Sequence, residues 1–121
     1  MGVLGVGVDT IEVARIEGVL RRRPRFAERC FTEAEREYCQ SKPYPPQHFA
    51  GRFAAKEAVG KALGIGMRRW REVEVVRGRG APSILMFGRM LARAETIGVR
   101  TIHLSITHSQ TDAVAIAVAE A

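Results

Sequence analysis

The stretch FAGRFAAKEAVGKALGIG, Phe49 to Gly66, decides how the rest of the chain is read. Ala50, Ala54, Ala55, Ala58, Ala62 and Leu63 favour helix, and no proline interrupts them, so the composition predicts about four helical turns. Gly64 and Gly66 end the helix, because glycine accepts the left-handed backbone that follows a last turn. Glu57 and Lys61 stand four residues apart and therefore share a face. Beside small residues, that pair is either a surface ion pair or half of a phosphate–metal site. The chain has 19 basic residues, yet only Lys42, Lys56 and Lys61 are lysine. Two of three lysines in one helix suit a need for a compact point charge there.

Upstream of that helix, Val3 to Asp9 alternates Leu4, Val6 and Val8 with Gly5 and Gly7, which predicts a strand whose glycine face admits a close neighbour. Thr10 stands where a dinucleotide fingerprint needs its third glycine, so that motif is incomplete. Asp9 reads either as the N-cap of a helix from Ile11 to Arg23 or as a metal ligand at a strand end. The predicted helix ends in Arg21, Arg22, Arg23, Pro24 and Arg25. These cations suit a helix C-terminus, or form a docking edge for an acidic partner with Phe26 as an apolar anchor. Thr32-Glu33-Ala34-Glu35 is a capping box that opens a helix to about Cys39. Ser41 to Gln47, with three prolines, predicts a loop, and His48 a surface position.

Downstream, Glu72 to Val76 and Ser83 to Phe87 read as strands around a Gly78–Pro82 turn, and Arg89 to Ile97 as a helix closed by Gly98. Thr101 to Thr107 alternates with Ile102, Leu104 and Ile106 inward. After a Ser109–Thr111 turn, Ala113 to Ala119 returns as a strand with one all-alanine face, smooth enough for the central helix to lie on. His108, just before the turn, is either a polar loop residue or a functional one. The pattern is that of an α+β fold: a single small domain over residues 1–121, an antiparallel sheet packed against a long central helix.

The totals bound the function. A chain of 121 residues with 46% hydrophobic content supports one real core. A net charge of +6 selects anionic partners: nucleic acid, nucleotide or an acidic protein. Cys30 and Cys39 lack zinc-ligand spacing, and without a secretory signal they are expected as free thiols in a reducing cytosol, which implies a cytoplasmic protein. No apolar run reaches membrane-spanning length, so no membrane partner is expected. A small basic binding module would explain the charge equally well, but it predicts aromatic stacking residues among the basic ones, and Trp70 stands alone there.

Three segments in order, GVGVDTIEVARI, FAGRFAAKEAVGKALGIG and LSITHSQTDAVAIAV, together resemble the holo-[acyl-carrier-protein] synthases, the small phosphopantetheinyl transferases. FTEAEREYC and GRGAP fit the same pattern. Asp112 departs from it where the family often has tyrosine, and the Arg21–Arg23 run is unusually basic. The resemblance implies Mg²⁺-dependent transfer of 4′-phosphopantetheine from coenzyme A to a serine of apo-acyl carrier protein, leaving adenosine 3′,5′-bisphosphate. By the same resemblance Asp9 and Glu57 are the magnesium ligands and Lys61 steadies the leaving phosphate. His108 lies near the coenzyme phosphates, with Arg52, Gly80 and Pro82 as weaker coenzyme contacts. Arg15, Arg22, Arg25 and Phe26 meet the carrier protein, and the family forms homotrimers with sites between subunits. Nucleic acid is not an expected partner. Broad-specificity transferases for other carrier domains are usually about twice as long as this chain.

Overall fold

In the computed structural model, which describes residues 2–121, the chain runs β1 (Val3–Glu12), α1 (Val13–Arg22), α2 (Phe26–Cys30), α3 (Glu33–Gln40), α4 (Pro45–Leu63), β2 (Val73–Val76), β3 (Ser83–Met86), α5 (Gly88–Ile97), β4 (Thr101–His108) and β5 (Asp112–Glu120). Two antiparallel sheets form. One has the order β1-β5-β4, and β2 pairs with β3 in the other.

Alanine and glycine explain how α4 meets the larger sheet. Ala113, Ala115, Ala117 and Ala119 of β5 are all fully buried, as the alternation predicted, and α4 packs against β1 and β5. On β1 a Cβ at Gly5 or Gly7 would sit far inside van der Waals contact distance of the Ala62 or Ala58 carbonyl oxygen. The glycine face is thus filled by the helix backbone itself. Leu4, Val6 and Val8 point the other way and stay exposed at 46%, 56% and 57%. Ala54, Ala55, Ala58 and Val59 of α4 join Leu104, Val73, Val75 and Met90 in the principal core. A second cluster under α1 and α3 is built on Ile16, Phe31, Cys39 and Phe49.

Several predicted boundaries move. The strand reaches Glu12 rather than Asp9, because antiparallel pairing to β5 continues through Glu12 and Asp112. Asp9 is therefore no N-cap, and α1 starts at Val13, whose N–H donates to the Thr111 carbonyl at 2.8 Å. The loop expected through Gln47 ends earlier, since Pro45 and Pro46 occupy the first helical positions, where a missing N–H costs nothing. α4 accordingly has 19 residues, and Gly64 closes it at φ 73°. The capping box on α3 forms as predicted: the Glu35 N–H donates to Thr32 Oγ1 and the Thr32 N–H to Glu35 Oε1. β2 begins at Val73, one residue later than expected, after a single 3₁₀ turn over Trp70–Glu72. The five-residue α2 has no counterpart in the sequence reading. Both cysteines are free and buried, and burial pushes the Cys39 thiol up to about 12.

Candidate active site

The register of β1 carries Asp9 beside Ala115, and α4 lies across it, so the side chains of Glu57 and Lys61 approach a residue some fifty positions earlier. Lys61 Nζ donates to Asp9 Oδ1 at 3.1 Å and to the Val8 carbonyl at 3.1 Å. Among the described residues Lys61 has no ion pair with Glu57, so the i,i+4 pair suggested by spacing gives way to a tertiary one. Lys61 remains 54% exposed, free to meet a ligand, whereas the Asp9 side chain is 15% exposed.

Asp9, Glu57 and Arg15 line one cleft with Phe26 and Phe53. Burial and the Asp9 charge raise the Glu57 carboxyl above its ordinary range, against the opposing pull of Lys61 and Arg15. A carboxylate raised by the charge of another beside it marks a place where a cation relieves repulsion. Among the described residues no group of three His, Cys, Asp or Glu side chains could hold a metal. The pair fits a hard ion such as Mg²⁺, which takes one or two carboxylates and fills its shell with water and phosphate oxygens. It does not fit an ion that needs a closed protein cage.

A second cavity lies elsewhere on the chain. Arg52, Gly80, Pro82 and His108, four residues the sequence reading assigned to the coenzyme, line it together, with Tyr38 and Arg77 among its other walls. The Arg52 guanidinium stacks 3.9 Å from the Tyr38 ring centroid, the residue is 7% exposed, and its Nε has no hydrogen-bond partner. A buried guanidinium with an unmet donor suits an anion. His48 also lines this cavity, its ring 5.4 Å from that of His108 and 5.9 Å from that of Tyr38. His48 is half-buried rather than freely exposed, because α4 begins three residues before it and sets the ring against Tyr38 of α3. Sequence held only a weak signal for this contact, the position of His48 one turn before Arg52.

The carrier-side arginines divide. Arg15 belongs to the acidic cleft, while Arg22, Arg25 and Phe26 line a separate groove. Phe26 touches both and packs on Phe31 and Phe53, at ring distances of 6.0 and 5.8 Å. Lys56 is in neither site. It is fully buried, and its ammonium donates to Glu35 Oε1 at 2.8 Å, to the Trp70 carbonyl at 2.9 Å and to the Val73 carbonyl.

An acidic pair beside an exposed lysine and a cavity lined by Arg52 and His108 thus lie on different parts of the same chain. The family model of the 4′-phosphopantetheinyl transferase superfamily matches residues 5–119, and the chain belongs to that superfamily of enzymes. The holo-[acyl-carrier-protein] synthase of Caldanaerobacter subterraneus subsp. tengcongensis is 43% identical over 117 residues, 94% of this chain and 92% of that one. Among solved structures, the holo-[acyl-carrier-protein] synthase of Neisseria meningitidis superposes with a TM-score of 0.86 at 29% identity, covering 99% of this chain and 100% of that one. The Bacillus anthracis holo-(acyl-carrier-protein) synthase, solved in complex with CoA (3′,5′-ADP), gives 0.80 at 36% identity, with 98% and 97% covered.

Proposed function

We propose that residues 1–121 form one catalytic unit that transfers 4′-phosphopantetheine from coenzyme A to a serine of apo-acyl carrier protein, with Mg²⁺ as cofactor. The observation that carries this reading is the meeting of Asp9, Glu57 and Lys61 at one edge of α4. In the reaction the serine oxygen bonds to the phosphorus on the pantetheine side, and that phosphorus loses its bond to the bridging pyrophosphate oxygen. The serine proton is released, and adenosine 3′,5′-bisphosphate leaves. Mg²⁺ held by Asp9 and Glu57 would offset pyrophosphate charge. The Lys61 ammonium, half in solvent, would turn toward the leaving phosphate and stabilise the charge that develops there. Arg52 and His108 would bind the nucleotide end.

A homotrimer with sites between subunits belongs to the same proposal. Arg52 and Lys61 are nine residues apart, which at about 100° per residue sets them on opposite faces of α4. The cavity around Arg52 shares no lining residue with the acidic cleft. A coenzyme reaching both kinds of residue is most simply held between copies. The exposed Val3, Leu4, Val6 and Val8 with Ile116 offer an apolar sheet face on which copies can meet. Among the described residues no helix is long and apolar enough to cross a membrane, and the proposed setting is cytoplasmic. The test is mass spectrometry of an apo-acyl carrier protein after incubation with this protein, coenzyme A and Mg²⁺. A mass gain of one phosphopantetheine is expected, lost with Asp9→Ala or Glu57→Ala or with excess chelator. An unmodified carrier, or transfer that survives the chelator, would overturn the reading or its metal.

A further inference from the structure

A cavity of about 1070 Å³ lies beside the end of α1. Arg22, Arg23, Arg25 and Arg29, from α1 through α2, form one wall. The other wall is Arg68, Arg69 and Arg71, on the connection from α4 to β2. Phe26 and Trp70, both half-buried, make the floor, and Glu72 is the one acidic residue that lines it. All seven arginines are exposed, and among the described residues none takes part in an ion pair.

Guanidinium groups facing each other across a concavity repel one another, and among the described residues that line it Glu72 is the one carboxylate to offset that cost. Such a surface attracts anions and raises their rate of encounter. Its size and form select among them. The arginines stand at the rim rather than inside a closed pocket, which suits a macromolecule better than a phosphate ion. The floor argues against single-stranded nucleic acid, which binds by stacking bases on free aromatic faces. One face of Trp70 is already taken by Phe53, parallel within 13° at 4.4 Å. A charged rim around an apolar floor instead matches a protein helix with acidic flanks and an apolar stripe. Phe26 also lines the cleft that holds Asp9 and Glu57, so a helix lying in the groove ends at the acidic pair.

We propose that Arg68, Arg69 and Arg71 form a second wall of the carrier-protein dock, so that an acidic helix of the carrier lies between them and the α1–α2 wall. This rests on the transferase reading above and adds a surface that the first-helix arginines do not supply. The experiment compares wild type with Arg69→Glu/Arg71→Glu. Affinity for a fluorescently labelled apo-acyl carrier protein is measured by anisotropy at low and at about 0.15 M ionic strength, and KM is measured for carrier and for coenzyme A. Carrier affinity should weaken about tenfold at low salt and less at high salt, where surface charges are screened. KM for coenzyme A should stay within about twofold. Carrier affinity unchanged at low salt, or an equal rise in both KM values, would overturn the proposal. Should the double variant melt early, Arg69→Gln/Arg71→Gln gives the same comparison, with a smaller loss expected. Failure of wild type to modify the carrier would sink the transferase reading, while the affinity comparison would still report on the groove.

Discussion

Replacing Lys56 with methionine tests how the fold holds the site-bearing helix. The ammonium is fully buried, and all three of its protons are used, on Glu35, Trp70 and Val73. Glu35, 1% exposed, also accepts from the Thr32 N–H at 2.9 Å and the Val75 N–H at 2.7 Å. Burial pushes the Lys56 pKa down, and Glu35 pulls it back up. Methionine keeps the apolar stem and leaves the carboxylate with two backbone donors and no cation. Breaking a buried pair from one side costs roughly 3–5 kcal/mol. The two carbonyls left without their ammonium donor push toward the upper end, and the surviving N–H donors toward the lower, so about 4 kcal/mol is expected. In a domain stabilised by about 5–15 kcal/mol that is a large share, and it corresponds to a Tm drop of roughly 12–20 °C. Urea unfolding followed by circular dichroism measures it. Lys56→Met/Glu35→Gln should be less destabilised than Lys56→Met alone, since the unpaired charge is gone. A Lys56→Met loss under about 1 kcal/mol, or a double variant that equals the sum of the singles, would refute the reasoning.

Gly7→Ala drives a methyl into the Ala58 carbonyl of α4 and should cost at least about 1–3 kcal/mol, read as a fall in urea midpoint; a neutral result would mean that β1 and α4 separate freely. Lys61→Met should lower kcat on the order of a hundredfold with carrier affinity intact, and a wild-type rate would reduce the lysine to the partner of Asp9. His48 is held below its ordinary value of 6.5 by burial first, then by His108, Arg52 and Lys42. The unfolded chain therefore takes up that proton before the folded one, and stability is lost as pH falls from 6.5 through the folded value. His48→Phe removes this loss, so the Tm of the variant should gain on wild type between about pH 7.5 and pH 5.5; a constant difference would contradict it.

What was legible in the sequence followed from local rules. The alanine face of β5, the glycine face of β1 and the capping box at Thr32 each depend on residues within one element, and each is found as read. Errors came where a distant partner decides. Asp9 to Glu12 carries three polar residues and a cap signal, and β5, a hundred residues later, holds it extended. Pro45 and Pro46 look like loop until their place at a helix start removes the objection. Phe26–Cys30 is too short for any periodicity, and the neighbouring aromatics Phe31 and Phe53 place it. The i,i+4 rule names Glu57 as the neighbour of Lys61, but such a pair is worth only a few tenths of a kcal/mol and yields to Asp9. His48 meets His108 across sixty residues, a distance over which no sequence pattern reports.

The proposed site depends on one spacing, that between α4 and β1. A strand normally keeps a helix away by the height of its side chains, and Gly5 and Gly7 abolish that height where Ala62 and Ala58 arrive. Only then does the Lys61 ammonium reach both the Val8 carbonyl and the Asp9 carboxylate from the helix side. The same approach brings Glu57 near enough to Asp9 for the Asp9 charge to help raise the Glu57 carboxyl. Glycine costs strand stability, since it loses more backbone freedom and packs no side chain. The alternative, a better strand with a side chain at residue 7, would lift the helix and separate the two carboxylates. The glycine face of β1 is therefore both a packing solution and the device that sets the distance between the acidic residues.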